Sequence, residues 1–97
     1  MAIKVQTNFF PQLNKPKVYL VYILNDGYIS WEFCMRVMKD IFYMNEKRAL
    51  AITKEILTNG EGLCGAYLFE IAQSKAEIVE SLAKEENFSM QCLVEEV

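Results

Sequence analysis

The spacing of apolar positions divides the chain into six segments. Lys17 to Leu24, KVYLVYIL, is rich in β-branched and aromatic residues and is the clearest strand. Val18, Leu20, Tyr22 and Leu24 fall on one face, and Tyr19, Val21 and Ile23 on the other. Apolar residues on both faces suit a central strand with one face only partly covered. Asn25-Asp26-Gly27 then supplies the residue types that tight turns favour. From Ser30 to about Tyr43 the pattern changes. Phe33, Cys34, Val37, Met38 and Ile41 recur at spacings of three and four, which predicts a helix. Ser30 suits its N-cap and Glu32 its positive end. Asn45 is a second N-cap and opens a helix to about Thr58, with Ala49, Ile52, Thr53 and Ile56 inward. Asn59-Gly60 stops it. Leu63 to Leu68 reads as a short strand. Phe69 to Glu86 reads as a longer helix with an inner stripe of Ile71, Ala72, Ala76, Ile78, Val79, Leu82 and Ala83. Glu70, Gln73, Glu77, Glu80 and Lys84 lie opposite. Met90 to Val94 is the last strand.

Three strands and three helices in this order predict an α+β domain with the helices on one face of a sheet. The domain runs from residue 17 to 97. Residues 1–16 read as a flexible N-terminal extension, because Phe9-Phe10-Pro11 breaks any regular pattern and Pro16 marks the domain edge. Ile3, Val5, Phe9 and Phe10 give that extension apolar side chains to lay on the domain or on a partner.

Composition narrows the function. The chain has 97 residues and is 53% hydrophobic, enough for one core without a metal or a disulfide. Ten basic residues are scattered among thirteen acidic ones, for a net charge of −3, which does not favour nucleic acid. The longest near-continuous apolar run is seven residues, Val18 to Leu24, against the roughly twenty a membrane helix needs. The N-terminus lacks the basic head and long apolar run of a signal peptide. A soluble cytoplasmic protein is expected. Cys34, Cys64 and Cys92 form no CxxC pair and there is no His, so the three read as buried thiols, with no metal or other cofactor.

The same inventory argues against an enzyme. Without His the usual neutral-pH base is missing, and no nucleophile sits beside a recognisable partner. Gly60, Gly62 and Gly65 spell G-x-G-x-x-G, but here the glycines leave a helix and enter a strand, the reverse of a dinucleotide-binding turn. Asn25-Asp26-Gly27-Tyr28 stands out instead. Besides making a turn, it offers a carboxylate and an amide carbonyl at a strand end, two acceptors for a cationic amine.

At these residues the chain resembles the ClpS family, adaptors that deliver proteins with destabilising N-terminal residues to Clp-type AAA+ proteases. Four segments carry the resemblance in order: KVYLVYILNDGYISWEF, Glu46 to Ala51, GEGLCGAYLFEIAQSKAEIV and MQCLVEE, spanning about residues 17 to 97. The resemblance implies three antiparallel strands packed on three helices, and a monomer. It implies two partners: the N-terminal domain of a Clp-type AAA+ unfoldase, and substrates beginning with Phe, Tyr, Trp or Leu. By position, Asn25 and Asp26 match the pair that binds the substrate's α-amino group. Ile29, Trp31, Cys34, Thr53, Ile56, Leu57 and Met90 match the pocket for its first side chain. Glu70 and Lys75 match the unfoldase-docking surface.

The chain departs from the family pattern inside the pocket. Gly27 stands where a second Asp is usual and Leu57 where an amine-binding His is usual. Ile29 replaces Thr, Trp31 replaces Met, Cys34 replaces Val, and Thr53 replaces Met. Two readings follow: an adaptor that still recognises bulky hydrophobic N-terminal residues, or one that docks on the unfoldase without recognising free N-termini.

Overall fold

A computed structural model describes residues 16–97; most of the expected extension, residues 1–15, lies outside the described residues. The elements are β1 (Tyr19–Asn25), α1 (Trp31–Asp40), α2 (Glu46–Asn59), β2 (Glu61–Tyr67), α3 (Phe69–Glu85) and β3 (Met90–Glu96). The sheet order is β2-β1-β3, and β1 runs antiparallel to both neighbours. The α+β class and the element order are as expected. The boundaries moved where pairing or capping decided them. β3 continues through Glu95 and Glu96 because they pair with Leu20 and Tyr19. β2 begins at Glu61, directly after the helix cap. α1 stops at Asp40, short of Tyr43. There the chain reverses through Tyr43 in the left-handed region (φ 54°), and Met44 N–H donates back to Met38 C=O.

Capping follows the sequence closely. Ser30 Oγ accepts from Phe33 N–H at 3.1 Å, and Asn45 Oδ1 accepts from Arg48 N–H at 2.8 Å. Gly60 ends α2 in the left-handed conformation (φ 87°). The end of α3 is closed by Asn87, also left-handed (φ 61°). Phe88 N–H returns to Ala83 C=O and Asn87 N–H to Lys84 C=O. This is a Schellman cap, with Asn in the role glycine usually fills.

Val21 and Ile23 of β1 are fully buried beneath the helices, together with Phe33, Cys34, Val37 and Met38 of α1 and Ala49 and Ile56 of α2. On α3 the buried stripe is narrower than expected. Ala72, Ala76, Val79 and Ala83 are buried and Leu82 is half-buried, but Ile71 and Ile78 are each 47% exposed. At about 100° per residue those two lie well off the axis of the alanine stripe. The alanines let α3 sit close to the sheet, so its flank stays in solvent.

On the opposite sheet face, Leu20, Tyr22 and Leu24 are half-buried, and Tyr22 pairs with Leu63 on one side and Leu93 on the other. A register shift between Val21 and Tyr22 leaves Cys64 unpaired as a bulge in β2. At the outer edge, Glu80 of α3 reaches β3 and accepts the Cys92 N–H at 2.8 Å.

At Gly62, β2 packs directly against Ile56 and Ile52 of α2. A Cβ there would lie 2.8 Å from Ile56 Cγ1. Gly62→Ala is expected to lower unfolding stability by about 1–3 kcal/mol in a urea titration.

Candidate functional site

The C-terminal end of β1 gathers residues from four parts of the chain. Asn25 N–H donates to Gly60 C=O at 2.8 Å, which ties the strand end to the cap of α2. Asn25 also pairs with Met90 across the sheet. Its side-chain Oδ1 accepts the Gly27 N–H at 3.1 Å, an Asx turn that fixes the amide. Asp26 Oδ1 accepts a 2.6 Å hydrogen bond from Ser89 Oγ. Ser89 is the residue that sequence reasoning missed. The readable signal was Asn87 directly after a helical pattern, since a left-handed cap there swings the next residues back toward β1.

Tyr28, Phe88 and Phe33 stack beside this turn, with ring centroids 5.9 and 5.0 Å apart along the series. Arg36 lies over Phe33 at 5.2 Å and pairs with Glu86. The aromatic cluster holds the start of β3 against α1.

Of the expected pocket residues, Ile29, Cys34, Thr53, Ile56 and Met90 are all buried, at 0–4% exposure. Leu57 is half-buried. Trp31 is 41% exposed and lines a groove of about 400 Å³ on the outer face of α1, with Met35, Arg36, Lys39 and Glu46. Of the two acceptors Asp26 is exposed and Asn25 half-buried, whereas the apolar set is mostly buried. Thr53 is the odd member. Its Oγ1 is fully buried and has no hydrogen-bond partner among the described residues. Such a group costs about 1–3 kcal/mol.

Glu70 and Lys75 are not brought together. Five residues apart on α3, they point about 140° from each other. Glu70 sits exposed in the first turn, where the helix dipole favours a carboxylate. The Lys75 ammonium donates to Ile41 C=O at 2.6 Å and lies 4.7, 5.2 and 5.9 Å from the rings of Tyr43, Tyr67 and Phe42. These cation–π contacts reach the left-handed Tyr43, a residue that is 80% exposed.

The thiols are poor nucleophiles. Burial pushes Cys34 up to about 11; burial first, and then Glu80, push Cys92 up to about 12; burial likewise raises Cys64. Among the described residues no group of His, Cys, Asp and Glu is placed to hold a metal ion, and no helix is long and apolar enough to cross a membrane.

Residues 14–93 match the family model described as "ATP-dependent Clp protease adaptor protein ClpS". The chain belongs to the ClpS family. It is 40% identical over 82 residues to the ATP-dependent Clp protease adapter protein ClpS of Neisseria gonorrhoeae, covering 84% of this chain and 79% of that one. It is 41% identical over 93 residues to the ClpS of Campylobacter jejuni strain RM1221, covering 96% and 97%. Its fold matches that of Agrobacterium tumefaciens ClpS2 bound to L-phenylalaninamide, with a TM-score of 0.78, 30% identity, and coverage of 84% of this chain and 99% of that one. The ClpS fold expected from the four segments is thus the fold observed.

Two outcomes test this ClpS chain's core. Thr53→Val removes the orphan hydroxyl and is expected to raise unfolding stability by about 1 kcal/mol, read by chemical denaturation. Cys92 is only half-buried, unlike the buried thiol expected from sequence; Cys34 and Cys64 are expected to resist alkylation at pH 8 in the native protein and to react rapidly in guanidinium, counted by intact-mass spectrometry.

Proposed function

We propose that this Clp protease adaptor binds substrates through a free, bulky hydrophobic N-terminal residue and delivers them to a Clp-type AAA+ unfoldase. One observation carries the reading. The side-chain amide oxygen of Asn25 and the carboxylate of Asp26 are each held by a hydrogen bond at the end of β1, where Asn25 pairs with the buried Met90. A structurally similar ClpS2 was solved with L-phenylalaninamide, a ligand with one free α-amine and one aromatic side chain. Burying such a side chain supplies roughly 1.5–3 kcal/mol. The amine contacts supply selectivity, because an acetylated terminus lacks the charge and two of the donors.

The closed apolar set bears on the second reading. With Ile29, Cys34, Thr53, Ile56 and Met90 buried, a guest side chain enters only if the residues around this set move apart. An adaptor whose pocket stayed shut would dock on its unfoldase and recognise no free terminus.

Fluorescence anisotropy separates the two. Peptides beginning with free Phe or Leu are expected to bind at least tenfold more tightly than their acetylated twins, about the worth of one charge-assisted hydrogen bond. Equal affinity for both forms rejects amine recognition and leaves the docking-only reading. On the other surface, Glu70→Lys is expected to weaken calorimetric binding to the unfoldase N-terminal domain without changing peptide affinity. Unchanged docking means that this face of α3 is not the contact.

A further inference from the structure

An N-terminal ammonium carries three N–H donors and no acceptor, so a site that holds it fully must present three acceptors. Asn25 and Asp26 present two. The family pattern places further polar groups at positions 27 and 57, but this chain has Gly27 and Leu57 there. The question is what completes the set.

Ser89 is in place to do so. Its Oγ lies 2.6 Å from Asp26 Oδ1, a separation typical of a hydroxyl bonded to a carboxylate. The direction of that bond is fixed by chemistry. A carboxylate only accepts, so the hydroxyl proton points at Asp26 and the Oγ lone pairs remain as acceptors. Asp26 keeps its second oxygen. Among the described residues Asn25 Oδ1 accepts the Gly27 N–H alone, at 3.1 Å, and keeps its second lone pair. The backbone holds Ser89 from both sides. The Asn87 cap turns the chain out of α3, and the pairing of Asn25 with Met90 sets the residue just before Met90 against the turn.

Gly27 fits the same arrangement. A Cβ at position 27 would lie 3.0 Å from Ser89 Cβ, so a side chain there is crowded by Ser89. The serine occupies the space beside Asp26 that an acid at position 27 would otherwise approach.

We propose that Ser89 is the third acceptor of the amine site: its Oγ accepts one N–H of the substrate's α-ammonium while its proton holds the Asp26 carboxylate in position. This inference rests on the amine-recognition reading above and names the residue that replaces the missing polar groups.

The test compares wild type, Ser89→Ala and Ser89→Thr against peptides with free N-terminal Phe, free N-terminal Leu and acetylated N-terminal Phe. Ser89→Ala is expected to lose about tenfold in affinity for both free-terminus peptides. Its Phe-to-Leu ratio, its affinity for the acetylated peptide and its thermal midpoint should stay at the wild-type values. Ser89→Thr keeps the hydroxyl and should restore most of the loss. Wild-type affinity in Ser89→Ala overturns the proposal. So does a loss shared by the acetylated peptide, or a changed Phe-to-Leu ratio, because either means that Ser89 only shapes the turn. If wild type itself fails to distinguish free from acetylated termini, the amine-recognition reading has failed and this inference falls with it.

Discussion

The main chain of Asn25 is the junction on which the site depends. Its N–H is held by the carbonyl of Gly60, and across the sheet it is registered with Met90. One residue thereby fixes the end of the central strand, the cap of α2 and the start of β3 relative to one another. Its side chain then turns back to accept from Gly27. The two candidate acceptors are then held at the strand end by local contacts, Asn25 by its Asx turn and Asp26 by Ser89.

The rest of the domain divides polar from apolar work. Of the acceptors Asp26 is exposed and Asn25 half-buried, whereas the apolar set is mostly buried. Sealing the apolar set has an identifiable cost in the orphaned Thr53 hydroxyl. Lys75 shows a different solution to the problem of a half-buried charge. With no ion pair to a carboxylate among the described residues, its ammonium is stabilised by one carbonyl and three ring faces. That arrangement reaches the bend at Tyr43 and connects α1, β2 and α3 at a single point.

Much of the fold was legible because its signals are local. Ser30, Asn45 and Gly60 announce helix ends through their own side chain or lack of one, and Val21 and Ile23 announce a buried strand through alternation. The strand ends were less legible, since Glu95 and Glu96 look like a solvated tail until β1 is there to pair with them. Ile71 and Ile78 were misread for a related reason. Periodicity gives the apolar side of a helix, but the alanines determine how much of that side touches the sheet. In the candidate site, Asn25 and Asp26 were visible as a turn with spare acceptors. Ser89 was not, because its contact with Asp26 spans 63 residues and depends on where the α3 cap sends the chain.

The Glu80 carboxylate resting on the Cys92 amide has a consequence for life beside an unfolding machine. Polypeptides being dismantled are extended and seek any free row of backbone groups to zip onto. An outer strand with a carboxylate lodged in one of its donor slots is a poor template for such recruitment. For a Clp protease adaptor, this makes the outer edge of β3 less open to pairing with extended chains.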